Sequence, residues 1–335
     1  MNPLLLALAA HAGETPLLPR GDPWRYLDTG VDPGPGWEQP AYDDSAWASG
    51  PAPLGYGLLP LTTTIGYGPD PLDRYPTSWF RTTFTVADPS VFEASSLSLR
   101  RDDGAAVYVN GVEVLRDNLA VGATALSYAT TGVYGTAQDE YLQVVIPDGV
   151  LQAGTNVVAV EVHNQGPTSN DLVMDLGISG WNGPTAIVRG PFLQQPTPQG
   201  VLVRWKTDGP GEGELRWGAT PLSLTHVRRD GVIGFEHEIR IDGWTADTDV
   251  AYAVAHPTAG VLEGADPQHV LHTPPATGAQ VPLRFWVLGD SGTANADAAA
   301  VRDAYYTLAP DPLDTQVWLM LGDNAYGSGT ESEYD

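Results

Sequence analysis

Val107-Tyr108-Val109-Asn110-Gly111-Val112-Glu113-Val114 is the stretch that decides how this 335-residue chain folds. Two short runs of branched and aromatic residues flank Asn-Gly, the pair best able to adopt the positive φ angles of a tight hairpin. The stretch therefore predicts two antiparallel strands joined by a two-residue turn. The same pattern extends outward on both sides. Phe80, Thr82, Phe84 and Val86 alternate with Arg81, Thr83 and Thr85, and Val158, Val160 and Val162 alternate with Ala159, Glu161 and His163. A period of two marks half-buried strands. Leu172, Met174, Leu176 and Ile178 supply a last inward face. From about Trp24 to Trp181, with Gly, Pro, Asn and Asp between the runs, the expectation is an all-β sandwich.

A second β unit is expected from about Thr185 to His272. Val201, Val203 and Trp205 alternate with Leu202, Arg204 and Lys206, and Phe235, His237, Ile239 and Ile241 share a face. Trp244 to Asp249 make a turn before Val250, Tyr252 and Val254. A Tyr early in a strand after a turn is the mark of immunoglobulin-like and fibronectin-like sandwiches. Thr273 to Pro282, with three prolines and one glycine, reads as a linker.

Beyond the linker the character changes. Leu283-Arg284-Phe285-Trp286-Val287-Leu288-Gly289-Asp290-Ser291-Gly292 and Gln316-Val317-Trp318-Leu319-Met320-Leu321-Gly322-Asp323-Asn324-Ala325-Tyr326 are strand-like runs that each close in Gly-Asp. Between them Ala298, Val301, Tyr305 and Leu308 fall at helical spacing, with Asn295 or Thr293 as cap and Pro310 as stop. Asp290 and Asp323 stand 33 residues apart, the length of one βαβ crossover. Both would emerge at the carboxyl ends of parallel strands, where open α/β sheets bind ligands.

Sixteen Lys and Arg against 41 Asp and Glu give a net charge of −25, which disfavours nucleic acid and anionic membrane surfaces as partners. Cysteine is absent, so disulfides, thiolate metal sites and cysteine nucleophiles drop out. Met1 to Ala12 carries an apolar run and the small-residue site Ala10-His11-Ala12, which suits a short export signal, although no Lys or Arg precedes Arg20. A secreted or periplasmic protein is expected.

Two carboxylates delivered to one sheet edge repel unless something positive lies between them, and a pair of metal ions would supply it. Tyr326, three residues beyond Asp323, puts a phenol within reach of the same spot. Gly289-Asp290-Ser291-Gly292 with Gly322-Asp323-Asn324-Ala325-Tyr326 resembles the first two of five signature blocks of the purple acid phosphatases, within the calcineurin-like metallophosphoesterases. The run Arg189-Gly190-Pro191-Phe192-Leu193-Gln194 with its sandwich resembles the amino-terminal domain of that family. The resemblance implies Fe3+ bound by Asp290 and Tyr326, Asp323 bridging it to a second divalent metal (Fe, Zn or Mn), and hydrolysis of a small phosphate ester by metal-bound hydroxide. The other three blocks, which bring an Asn and His ligands, have no match here, and all seven His precede Asp290. The chain is therefore expected to hold part of such a site and to be inactive alone.

Arg101-Asp102-Asp103-Gly104-Ala105-Ala106-Val107-Tyr108-Val109-Asn110-Gly111 with Gly154 to His163 resembles the galactose-binding-like jelly-roll domains attached to many secreted hydrolases. Asp102 and Asp103 suit either a structural Ca2+ site or an Asp-Asp-Gly turn. Trp24, Trp37, Trp47 and Trp79 suit either a sugar-stacking platform or a core. The organisation expected is multidomain and mainly β. Residues 1–21 form a signal and lead-in, 22–182 a jelly-roll sandwich, 183–272 a fibronectin III-like sandwich, 273–282 a linker, and 283–335 the incomplete first βαβ unit of a metallophosphoesterase domain. The alternative is a secreted carbohydrate-binding or adhesion protein whose two sandwiches are the working parts, with glycan bound by the first.

Overall fold

The structure is a computed structural model that describes residues 13–57, 60–308, 315–327 and 329–334. The apolar start Met1 to Ala12 and the helix stop at Pro310 lie outside the described residues. The chain is mainly β and divides into two compact units, one holding Glu14–Asn182 and the other Gly183–Asp335.

The first unit is a two-sheet sandwich. One sheet runs in the order Leu142–Ile146, Ala94–Asp102, Leu172–Trp181, Leu54–Tyr56 and Thr63–Thr64, with Glu14–Leu18 also paired to Leu172–Trp181. The second runs Ala48–Pro51, Pro23–Leu27, Thr77–Val86, Gly154–His163, Gly104–Val109 and Val112–Asp117. Asn110 and Gly111 take φ of 51° and 81°, and Val109 pairs with Val112, so the two-residue turn forms as the sequence predicts. Glu14–Leu18, which lies in the expected lead-in, is a strand of this sandwich. Phe80, Phe84, Val86, Val107, Val109, Val158, Val160 and Val162 meet Leu97, Leu99, Leu172, Met174, Leu176 and Ile178 in one core. Each fully buried large side chain in it contributes about 1.5–3 kcal/mol.

In the second unit Ile187–Thr197, Gly200–Gly218, His226–Asp242, Asp249–His256, Gly260–Gly264 and Val270–His272 form a single six-stranded sheet rather than two separate ones. The reason is a bulge. Between the pairs Lys206–Glu236 and Gly211–Gly234, residues Thr207 to Pro210 face Phe235 alone, and the strand bends there. The Thr207 hydroxyl lies 2.8 Å from the Gly209 carbonyl and 3.2 Å from that of Phe235, holding the bulge. Val201, Val203 and Trp205 before the bend and Leu215 after it share one core with Ile239, Ile241, Val250, Tyr252 and Val254.

No strand or helix falls between Val270–His272 and Phe285–Leu288. Phe285–Leu288 and Val317–Met320 then pair in parallel, with helix Ala296–Leu308 between them in sequence. Asn295 caps that helix, accepting from the N–H groups of Asp297 (3.0 Å) and Ala298 (2.9 Å). Trp286 stacks on Tyr305 at 4.0 Å and on Trp318 at 5.1 Å, while Val287, Leu319 and Met320 stay exposed.

Candidate functional site

The outer face of the second sheet of the first unit is the richest cluster of recognition groups. Neighbouring residues line up as Arg116, Ala106, Glu161, Trp79 and Leu27, and beside them as Glu113, Tyr108, Ala159, Arg81 and Arg25. These are the positions whose alternation predicts a solvated face. Instead Trp79, Arg81, Ala159, Glu161 and His163 are all buried.

The segment between Gly30 and Trp47 accounts for much of this. Arg81 donates to the Asp44 carboxylate at 2.9 Å, to the Gln39 carbonyl at 3.2 Å and to the Trp37 carbonyl, and its guanidinium lies 5.3 Å from the Tyr42 ring. Trp37 meets Tyr108 edge-on at 5.6 Å. Trp24, Trp47 and Trp79 are buried, and Trp37 remains half-buried beside Tyr108. A loop carrying two tryptophans and a tyrosine within eleven residues was the sequence signal for a covered face.

Ala106 and Ala159 stand among Tyr108, Arg116, Glu161 and Arg81 in the strand register and are themselves fully buried. Arg116 forks onto Glu113 (2.6 and 2.9 Å) and donates to the Tyr108 hydroxyl at 3.1 Å. That pairing holds the Glu113 carboxyl below its ordinary range. Burial, then the Glu161 charge, pushes the Tyr108 phenol up. Tyr108 therefore stays a neutral hydroxyl with an aromatic face.

Asp102 and Asp103 lie under the loops at one end of this sandwich. Asp103 accepts from the N–H groups of Val133 and Gln165, both at 2.7 Å, and from the Ser169 hydroxyl at 3.4 Å. Asp102 accepts from the Gln138 amide at 3.2 Å on one oxygen, and its other oxygen is buried without a partner. Burial first, then the charges of Asp103 and Asp171, pushes Asp102 from an ordinary 3.8 up to about 8. An acid raised in the fold keeps a proton that the unfolded chain has lost, so its contribution falls as pH rises from 3.8 toward about 8. Asp102→Asn is expected to flatten that fall, with the gain over wild type widest near the upper end. Thermal melts of both proteins across the window check it, and a constant difference would refute it.

The second unit brings Asp290, Asp323 and Tyr326 together. Both aspartates follow their strands with positive φ, 53° at Asp290 and 52° at Asp323. The Tyr326 hydroxyl lies 2.7 Å from Asp290 and 2.5 Å from Asp323. Its proton lowers the Asp290 pKa, and the two carboxylates raise that of the phenol, Asp323 more than Asp290. The convergence expected from sequence is therefore present. What separates the paired charges is a phenol proton, where a metal pair had been expected. His163, His237 and His256 are buried within strands of the two units.

No family model matches the chain, and no curated protein matches it. Among solved structures it is similar to Bacteroides uniformis beta-glucuronidase 2 covalently bound to cyclophellitol-6-carboxylate aziridine, at 15% identity over 91% of this chain and 42% of that one, TM-score 0.39. A glycosyl hydrolase family 2 member from Bacteroides cellulosilyticus gives 14% identity over 89% and 42%, TM-score 0.39. Lactobacillus rhamnosus beta-glucuronidase gives 12% over 76% and 44%, TM-score 0.36. The chain spans 42% of the first of these, and likeness so distant does not carry activity across.

The purple acid phosphatase resemblance is corrected by these results. No family model and no curated protein matches, and the solved structures named above are described as beta-glucuronidases or a glycosyl hydrolase, none as a phosphatase. Phosphate-ester hydrolysis, acid phosphatase activity and the assignment of residues 283–335 to a metallophosphoesterase domain fall with it. The cofactors are corrected as well: among the described residues no group of three or more His, Cys, Asp or Glu is placed to hold a metal. This removes the expected Fe3+ with a second Fe, Zn or Mn, and the Ca2+ expected at Asp102 and Asp103. The physical reason lies in the partners, since Asp103 is occupied by backbone N–H groups and the Asp290–Asp323 pair by Tyr326. Among the described residues no helix is long and apolar enough to cross a membrane.

Proposed function

We propose that the first unit is a carbohydrate-binding module, acting on glycans outside the cytoplasm, with the outer face of its second sheet as the binding surface. The observation that carries this reading is the half-buried pair Trp37 and Tyr108, set beside the interlocked Arg116 and Glu113. A sugar ring offers a C–H face to an aromatic ring and hydroxyls that both donate and accept. A surface that recognises it needs an apolar face with a few fixed polar groups around it. Here the guanidinium and the carboxylate are already held by each other, so little ordering remains to be done on binding.

A glycan array probed with the intact chain tests the proposal. Trp37→Ala is expected to weaken binding to the retained glycans about tenfold, the loss of one aromatic contact, with the thermal midpoint little changed. Retention of no glycan, or equal binding by Trp37→Ala, would overturn it.

A further inference from the structure

The last strand of the second unit's sheet is held at both of its ends by a histidine set between two acids. His272 closes the strand Val270–His272. Its Nδ1 lies 2.7 Å from the Asp249 carboxylate and its Nε2 3.0 Å from that of Asp247. His269, one residue before the strand, has its Nδ1 3.0 Å from the Asp266 carboxylate and its Nε2 3.4 Å from that of Glu263. A neutral imidazole carries one N–H and can serve only one of two flanking carboxylates, whereas the imidazolium serves both. Each ring is therefore fully matched only with a proton on both nitrogens. The Asp249 bond first, then that of Asp247, raises the His272 pKa above its ordinary 6.5, and the bond from His269 holds the Asp266 carboxyl below its ordinary range.

Among the described residues the charged groups paired with these rings are all acids. Asp249 begins the strand Asp249–His256, Asp247 stands in the bend before it, Glu263 lies on Gly260–Gly264, and Asp266 in the turn that follows. None of the four has a Lys or Arg partner among the described residues. Tyr252, edge-on to His269 at 5.5 Å, adds no charge, since burial pushes its phenol up to about 12. Once the two rings lose their protons, four carboxylates stand around one short strand with no cation between them. The strand has little else to hold it. It pairs only with the start of Asp249–His256, Asp249 opposite His272, Val250 opposite Leu271 and Ala251 opposite Val270, and Leu271 is its contribution to the core.

We infer that Val270–His272 is an acid-closed clasp: the strand is fastened to the sheet while His269 and His272 are imidazolium and loosens as they deprotonate, so the second unit holds this sheet edge shut in acidic surroundings. A histidine raised in the fold contributes fully below 6.5 and loses that contribution as pH rises through its higher folded value. Thr273, whose hydroxyl donates to the Thr245 carbonyl at 2.8 Å, ties down the next residue at every pH and confines the opening to the strand.

Backbone amide exchange of the intact chain from about pH 5 to about pH 9, corrected for intrinsic rates and referenced to Val203 and Ile239 in the same core, tests the clasp. Protection of the strand is expected to fall about tenfold across that range relative to the reference amides, the loss of several partly exposed ion pairs. The double variant His269→Gln, His272→Gln is expected to show the low, alkaline level of protection at every pH. In a proton NMR titration of the wild-type protein His272 is expected to titrate above 6.5. Strand protection that does not change with pH relative to the reference amides overturns the clasp. So does a His272 that titrates at or below 6.5, or a fall that persists undiminished in the double variant. The wild-type profile and titration decide the matter even where the double variant does not fold.

Discussion

Arg81→Met is expected to cost about 3–5 kcal/mol of stability and to abolish glycan binding by the first unit. Arg81 is 2% exposed, yet it stands on a strand position that would normally face water. Its guanidinium is the tie between the sheet and the segment from Gly30 to Trp47, through the Asp44 carboxylate and the carbonyls of Trp37 and Gln39. Methionine fills much of the same volume but donates nothing. Asp44 would keep only Arg25, at 3.4 Å, the Trp37 carbonyl would lose the Arg81 donor, and the Gln39 carbonyl would keep only the Tyr42 N–H. Charge-assisted bonds of this kind are worth about 1.5–3 kcal/mol each. Because Trp37 rides on the same segment, the aromatic pair with Tyr108 should come apart as well. Urea unfolding and a glycan-binding titration on the same preparation measure both effects. A variant within about 0.5 kcal/mol of wild type that still binds would refute the role given to Arg81.

Asp103→Ala is expected to be comparably damaging, at about 3–5 kcal/mol, for a different reason. The carboxylate is the acceptor for two backbone N–H groups from separate loops, those of Val133 and Gln165, and it is 1% exposed. Alanine would leave both donors stranded, at about 1–3 kcal/mol apiece, together with a small cavity. Asp103→Asn keeps one carbonyl oxygen and should recover roughly half of the loss, since its amide must still be accommodated beside an N–H. Denaturant midpoints for the three proteins check this order. Equal midpoints for Asp103→Ala and wild type would mean the loops are held elsewhere.

Much of the framework was legible from local chemistry. Asn110-Gly111 closes its hairpin at the predicted residues, because few other pairs accept two positive φ angles. Asn295 caps its helix, and the two Gly-Asp runs pair in parallel and bring Asp290, Asp323 and Tyr326 to one spot. The chemistry assigned to that spot was not legible. Residue type and spacing gave the convergence; the metal pair was inferred from the repulsion of two carboxylates and its identity, with the phosphatase, from a resemblance, and neither is supported.

Other misreadings share a cause. Alternation along Thr77–Val86 and Gly154–His163 identifies which residues lie on one face together, but it cannot say whether a distant segment covers the other face. Arg81 and Glu161 therefore read as the solvated side of half-buried strands and are buried. The single bent sheet of the second unit was hidden in the same way, since a bulge at Thr207 to Pro210 depends on how one residue of the partner strand is met.

What the sequence determined by itself is the mainly β character, the hairpin at Asn110-Gly111 and the pairing of like faces, because these follow from φ preferences and a period of two. What only the tertiary structure decided is the company each face keeps. The segment from Gly30 to Trp47, whose nearer end lies more than thirty residues from Arg81 along the chain, turns a polar strand face into an enclosed one. Burial, and with it the enclosure of Glu161 and His163, arises from contacts between residues far apart in sequence, which local pattern does not encode.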